Sequence, residues 1–196
     1  SPEPVRVAVT GVGVLTALGH GWAANAAGFQ AGRTAFRAVQ HFDVSRQRTR
    51  IAAELDLPAS LPATRLSARQ ERRLDRAGRM LLLAAAEAWS QSGWASGTGD
   101  IPVVLGTTSG GMALGEEYFR RCHATPVADP RHGHGRSRGQ ASRAIHYQPQ
   151  RQVLDLMDAF GFVGPSRVIA NACASGTNAV GEAFEWIRSG RAERVL

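Results

Sequence analysis

Lysine is absent from this 196-residue chain, so arginine carries all of the side-chain charge behind its net +7. That absence excludes a P-loop nucleotide site, which needs a phosphate-binding lysine. Cysteine is scarce: Cys122 and Cys173 are the only two. No disulfide framework is implied, and the fold must rest on a buried core. The hydrophobic content of 43% is enough for one sizeable core, a single domain or one half of a larger one. No apolar run approaches the roughly 20 residues of a membrane helix, and no secretory signal is present. Together these features point to a reducing, cytoplasmic setting without a membrane partner. Aromatic residues make up only 7% of the chain. The arginines are dispersed, with no interleaved aromatics and no nucleic-acid motif, so no nucleic-acid partner is expected. An acidic protein partner fits the same charge.

What is present alternates between short apolar runs and helical periodicity. Val5–Thr10 reads as a first strand running into a turn at Gly11-Val-Gly13, and Gly21–Ala31 as a helix. Gly32–Arg50 reads as a long loop, with a short strand over Ile51–Leu55. Leu66–Ser92 is the longest helical segment, capped by Ser67 with Gln70 and ended by Gly93. Ile101–Leu105 is a buried strand leading into Gly106-Thr-Thr-Ser-Gly-Gly111, and a helix follows over Met112–Arg121. The Gly-, Arg-, His- and Pro-rich stretch His123–Ala144 reads as a mobile surface excursion. A helix over Gln148–Phe160 leads through Gly164-Pro165 to a last strand at Val168–Ala170, and Glu193–Leu196 enters a further strand. Strands alternating with helices indicate an α/β fold with a largely parallel sheet.

Most of the chemistry lies in Arg167–Gly190. Val168-Ile-Ala170 is a buried strand, and Ser175-Gly-Thr177 is small enough for a sharp turn. Ala179, Val180, Ala183, Phe184 and Ile187 recur at helical spacing up to Gly190. Cys173 is thereby placed at the tip of a strand and the N-terminal end of a helix, where free N–H groups and the helix dipole favour the nucleophilic thiolate. The same turn aims the Cys173 N–H where an oxyanion would form. This is the logic of a nucleophile elbow with sulfur in place of oxygen.

Two competing motifs are weaker. Gly11 and Gly13 fit the first two glycines of a dinucleotide fingerprint, but Thr16 occupies the third position, so no nicotinamide cofactor is expected. His132 and His134, with His123 and Cys122, lack the four well-spaced ligands of a structural zinc site, so no metal is expected.

Asn171-Ala-Cys-Ala-Ser-Gly-Thr177 closely resembles the active-site motif of the beta-ketoacyl-ACP synthases of the thiolase superfamily. The similarity extends to the opening Val-Thr-Gly-Val-Gly, to Arg72-Arg-Leu-Asp-Arg76, to the glycine-rich loop 106–111, to Phe160-Gly-Phe-Val-Gly-Pro165, and on to Leu196. The resemblance implies a thiolase-like fold in which residues 1–196 form the N-terminal half, a mixed sheet covered by helices. It implies a homodimer or a ketosynthase/chain-length-factor heterodimer, and acyl carrier protein as partner. No cofactor is implied. Cys173 would take the acyl group, and a malonyl unit would lose CO2 before its carbanion attacks the thioester. The two histidines that the family uses for this step come from its C-terminal half, which lies outside this sequence. A fragment or cleaved chain is therefore the expectation. The alternative is a non-catalytic chain-length-factor-like subunit, from which the retained Cys173 distinguishes it.

The resemblance also implies that Thr107, Thr108, Ser109 and Gly110 line the acyl pocket. Ser109 stands where related synthases carry a bulky aliphatic gate. Arg65, Arg69, Arg72 and Arg76, with Arg79, step by three and four. They would share one carrier-docking face if the segment is helical throughout.

Overall fold

A parallel strand pair carries both the glycine-rich loop and the cysteine turn at its ends. The computed structural model of the chain describes residues 5–94, 100–124 and 144–196, without the side chains of 122–124. These fall into two compact units, one holding the described residues of 1–8, 64–81 and 95–196 and the other residues 9–63 and 82–94.

In the first unit, strand β5 (Val103–Gly106) runs parallel to β6 (Ser166–Ile169), with Val103 opposite Ser166 and Gly106 opposite Ile169. On the other side of β5, Val104 N–H donates to Leu196 O at 2.9 Å and Leu196 N–H donates to Pro102 O at 3.0 Å. Leu196 thus bonds alongside β5, although the strand expected over Glu193–Leu196 is not formed. Helices α5 (Pro149–Phe160) and α6 (Ser175–Arg188) pack on the strand pair. Pro149 opens α5 with its ring pre-set for a first turn, and Gly161 closes it at φ 70°, a left-handed cap that favours glycine. The core here is Ile101, Val103, Val153, Leu156, Met157, Ala159, Phe162 and Trp186. Each large member contributes about 1.5–3 kcal/mol by leaving water.

The other unit holds a tight antiparallel pair, β1 (Leu15–Thr16) with β2 (Gly19–His20), then α1 (Gly21–Gln30). Asn25 is buried in α1 and its amide donates to Gly19 O at 3.0 Å and Gly21 O at 2.7 Å, fastening the helix to its preceding turn. A second antiparallel pair joins β3 (Arg37–Ala38) to β4 (Ile51–Ala52).

Further helices are α2 (Ala68–Glu71), α3 (Arg76–Ser92) and α4 (Met112–Ala124). Four expectations need correction here. The helix expected over Leu66–Ser92 is two helices. Ser67 and Gln70 form a complete capping box on α2, and Asp75 then starts α3 by accepting the Gly78 N–H at 2.7 Å. The apolar run Val5–Thr10 is not a strand, since no strand among the described residues pairs with it, and Val9 is 80% exposed. Its glycines serve a different purpose. A Cβ on Gly11 or Gly13 would lie 2.0 or 1.8 Å from the carbonyl oxygens of Ala88 and Ala84, so both permit close contact with α3. The stretch Gly32–Arg50 is not wholly loop, because Arg37–Ala38 pairs with β4, and the strand expected at 51–55 is two residues long. The strands are not largely parallel but mixed, as the family resemblance implies: one pair is parallel and two are antiparallel. The excursion read over 123–144, including His132 and His134, lies almost wholly outside the described residues, as do the side chains of Cys122 and His123.

Candidate active site

The ladder brings two strand exits to the same edge. β5 leaves through Gly106 into the glycine-rich loop, and β6 leaves through Ile169 into the cysteine turn, with Thr107 N–H donating to Ile169 O at 3.0 Å. Gly106 backs directly onto the start of α6. A Cβ there would lie 2.4 Å from Ser175 O and 2.7 Å from Gly176 Cα, both of them backbone atoms. Glycine is thus the residue that lets the strand end and the helix start touch.

Between β6 and α6 the chain makes one 3-10 turn, Ala172–Ala174, which carries Cys173 in the middle. The cysteine is free and exposed. The residue before it, Ala172, has φ 58°, the only positive φ on a non-glycine residue among those described. That conformation costs an L-residue about 1–2 kcal/mol. It is held by Ser175, whose side chain is 3% exposed. The Ser175 hydroxyl accepts from Asn171 N–H at 2.9 Å and donates to Ala172 O at 2.7 Å, spanning the turn from both sides. α6 begins at Ser175, four residues earlier than its apolar periodicity suggests, so Cys173 lies immediately before its first turn.

The two arms of this elbow are also clamped farther out. Arg167 of β6 pairs with Glu182 of α6, and the buried Trp186 donates its indole N–H to the same carboxylate at 2.5 Å. The Arg167 and Arg191 guanidiniums lie 5.5 and 4.3 Å from the Trp186 ring centroid.

The residues expected to line a pocket, Thr107 to Gly110, form the loop that leaves β5 beside this elbow, with Ser109 half-buried and Thr108 exposed. The condition set for the arginine face is not met. Arg65 precedes α2, Arg69 is in it, Arg72 closes it, and Arg76 and Arg79 belong to α3, so no single helical face carries all five. Arg65, Arg69, Arg72 and Arg76 are nonetheless all exposed. Arg65 has a local role: its N–H donates to Ala159 O at 2.8 Å and its guanidinium lies against Gly161, at the negative end of the α5 dipole. Sequence reasoning missed the duties of Ser175 and Asp75, the first noted for its small size and the second within an arginine-rich motif and as an internal partner for its arginines.

A strand, a turn holding a left-handed alanine and an exposed cysteine, and a helix starting directly behind it make up the geometry of the site. The Beta-ketoacyl synthase, N-terminal domain family matches residues 5–196. The chain belongs to the beta-ketoacyl synthase family. It is 35% identical over 192 residues to a putative polyketide beta-ketoacyl synthase 1 of Streptomyces cyaneus, covering 96% of this chain and 44% of that protein. It is 34% identical to the tetracenomycin polyketide synthase ketoacyl synthase alpha subunit of Streptomyces glaucescens, over 97% of this chain and 44% of that one. The fold matches the ishigamide ketosynthase/chain length factor with a TM-score of 0.78 at 25% identity, covering 97% of this chain and 46% of that one. This beta-ketoacyl synthase chain therefore spans about half the length of the curated relatives it matches. Its fold is that of the N-terminal half of ketosynthases, and its family is of the acyltransferase class. No helix among the described residues is long and apolar enough to cross a membrane.

Proposed function

We propose that this chain supplies the nucleophile of a beta-ketoacyl synthase acting in polyketide assembly. The observation that carries the reading is the seating of Cys173, exposed, after a left-handed Ala172 and before the first turn of α6. In the reaction, the Cys173 sulfur attacks the thioester carbonyl of an acylated carrier protein. The carbonyl–sulfur bond to the carrier breaks, and the carrier thiol leaves with the proton. Positive backbone charge at the start of α6 and the Cys173 N–H stabilise the transient oxyanion. A malonyl unit on a second carrier then loses CO2, and its carbanion attacks the acyl–Cys173 thioester, releasing the sulfur as thiolate. The histidines for that step, and the rest of the acyl pocket, would come from the sequence that relatives carry beyond this half.

The polyketide assignment rests on relatives whose names are polyketide synthases, the Streptomyces cyaneus and Streptomyces glaucescens proteins among them. A fold neighbour solved as a type II acyl-carrier protein in complex with its ketosynthase, TM-score 0.66 at 20% identity, suggests the kind of partner; another is a ketosynthase/chain length factor. Carrier protein and a second ketosynthase-type subunit are accordingly the proposed partners, with exposed Arg69, Arg72 and Arg76 as the candidate carrier contacts. A chain-length-factor-like role is disfavoured by Cys173 itself, since such a subunit has no use for an exposed thiol on an elbow. In the complete enzyme, Cys173→Ala is expected to abolish both acyl transfer from the carrier and condensation. Wild-type turnover by that variant would refute the assignment.

A further inference from the structure

The loop assigned to the acyl pocket is anchored at both ends. At its start, Thr107 is tied into the β5–β6 ladder. At its end, Gly111 N–H donates to Tyr147 O at 3.1 Å, and Gly110 adopts φ 63°. Side chains are excluded there: a Cβ on Gly110 would lie 2.8 Å from Tyr147 O, and one on Gly111 would lie 2.9 Å from His146 O and 3.3 Å from Asp75 Oδ2. Thr108 and Ser109 span the distance between these anchors, so the seat of Gly110–Gly111 decides how far Ser109 reaches over an acyl chain.

Asp75 stands at that seat. Its Oδ1 accepts the Gly78 N–H at 2.7 Å, capping α3, while its Oδ2 faces Gly111. From α5, Gln152 hydrogen-bonds the same carboxyl, and Asp155, itself paired with Arg151, adds a like charge. Gly111 is the residue before α4, so the carboxylate also faces the positive end of that helix. The negative charge is not what α3 needs, because asparagine caps a helix about as well as aspartate. What the charge adds is attraction to the Gly111 end of the loop.

We propose that Asp75 is a positioning residue for acyl selectivity, its carboxylate seating Gly110–Gly111 and so setting the height of Ser109 over the acyl chain. This rests on the reading of Thr107–Gly110 as pocket wall. The test uses the complete enzyme, with acyl transfer to Cys173 measured from a short and a long acyl-carrier donor beside thermal unfolding. Asp75→Asn keeps the cap and removes the charge; the ratio of long- to short-chain rates is expected to rise about fivefold, the scale of a charge–dipole attraction lost, without a fall in Tm. Asp75→Ala removes both and should shift the ratio alike while lowering Tm. Both rates come from one preparation, so the folded fraction cancels, and a merely structural role leaves the ratio unmoved. An unchanged ratio in Asp75→Asn, with wild-type protein loading normally, overturns the inference alone. Failure of wild-type Cys173 to load overturns the proposed function and the inference with it.

Discussion

Removing the Ser175 hydroxyl is expected to release the turn that presents Cys173. The group is 3% exposed and makes two hydrogen bonds across the turn, at 2.9 and 2.7 Å. Each such bond is worth about 0.5–1.5 kcal/mol net, so Ser175→Ala should cost about 1–3 kcal/mol. Water limits the loss, because Asn171 and Ala172 are themselves exposed and can be solvated once the hydroxyl is gone. The expected cost matches the scale of the strain at Ala172, about 1–2 kcal/mol for a left-handed L-residue, which the hydroxyl offsets. Without it, residue 172 should relax toward a right-handed conformation and swing the thiol away from the start of α6. Urea unfolding reads the stability, and the rate of acyl transfer to Cys173 reads the geometry, with a fall of about tenfold expected for a loss of about 1.4 kcal/mol in the transition state. Glycine adopts the left-handed turn without a Cβ penalty. Adding Ala172→Gly to Ser175→Ala should therefore restore much of the rate while the hydrogen bonds stay lost. Stability within about 0.3 kcal/mol of wild type, together with an unchanged rate, would refute the account, since surface changes of that size need no special mechanism.

Three further outcomes are expected. Gly106→Ala places a Cβ 2.4 Å from Ser175 O, and because the obstacle is backbone, α6 must move; a loss of about 1–3 kcal/mol or more in urea unfolding, with slower acylation, is expected. For Asp75, burial first and then the charge of Asp155 raise the carboxyl above its ordinary range. Such a group gives stability that is full below the unfolded pKa of about 3.9 and is lost as pH rises through the folded value. Asp75→Asn is neutral throughout, so it should be more stable than wild type at pH 7 and converge with it below about pH 4; a pH-independent offset in unfolding free energy counts against this. Ser109→Ile should shift acyl preference toward short saturated chains in the complete enzyme, and an unchanged chain-length profile removes Ser109 from the pocket.

The cysteine elbow was legible because its signals are local. An apolar strand, a run of small residues and a helical period all lie within Arg167–Gly190, and the structure forms each of them with shifts of a few residues, although the strand expected to be buried is half-buried at Val168 and Ile169 and exposed at Ala170. The left-handed residue was not legible, since alanine gives no sign of a positive φ, and neither was the tie from Ser175, which exists only once the turn is made. The single helix assumed beneath the five arginines is broken for a reason that was written in the sequence. Asp75 stands three residues before Gly78, and an aspartate at that distance can take the N3 amide and start a new helix. The spacing of the arginines was followed across that boundary as if it were absent. The β3–β4 pair was missed because two residues per strand give no alternation to detect, and the pairing joins Arg37 to Ala52 and Ala38 to Ile51 across a long intervening stretch. Val5–Thr10 shows the opposite error: an apolar run is necessary for a buried strand, but a strand also needs a neighbour to receive its hydrogen bonds.

The central claim is that Cys173 carries the acyl group, and covalent mapping tests it most directly. The complete enzyme is incubated with an isotopically labelled acyl-carrier donor in the absence of malonyl donor, quenched, digested and read by peptide mass spectrometry. The acyl mass is expected on the peptide containing Cys173, and on no peptide containing Cys122. Label confined to Cys122, or no covalent acyl group on the protein at all, would contradict the account.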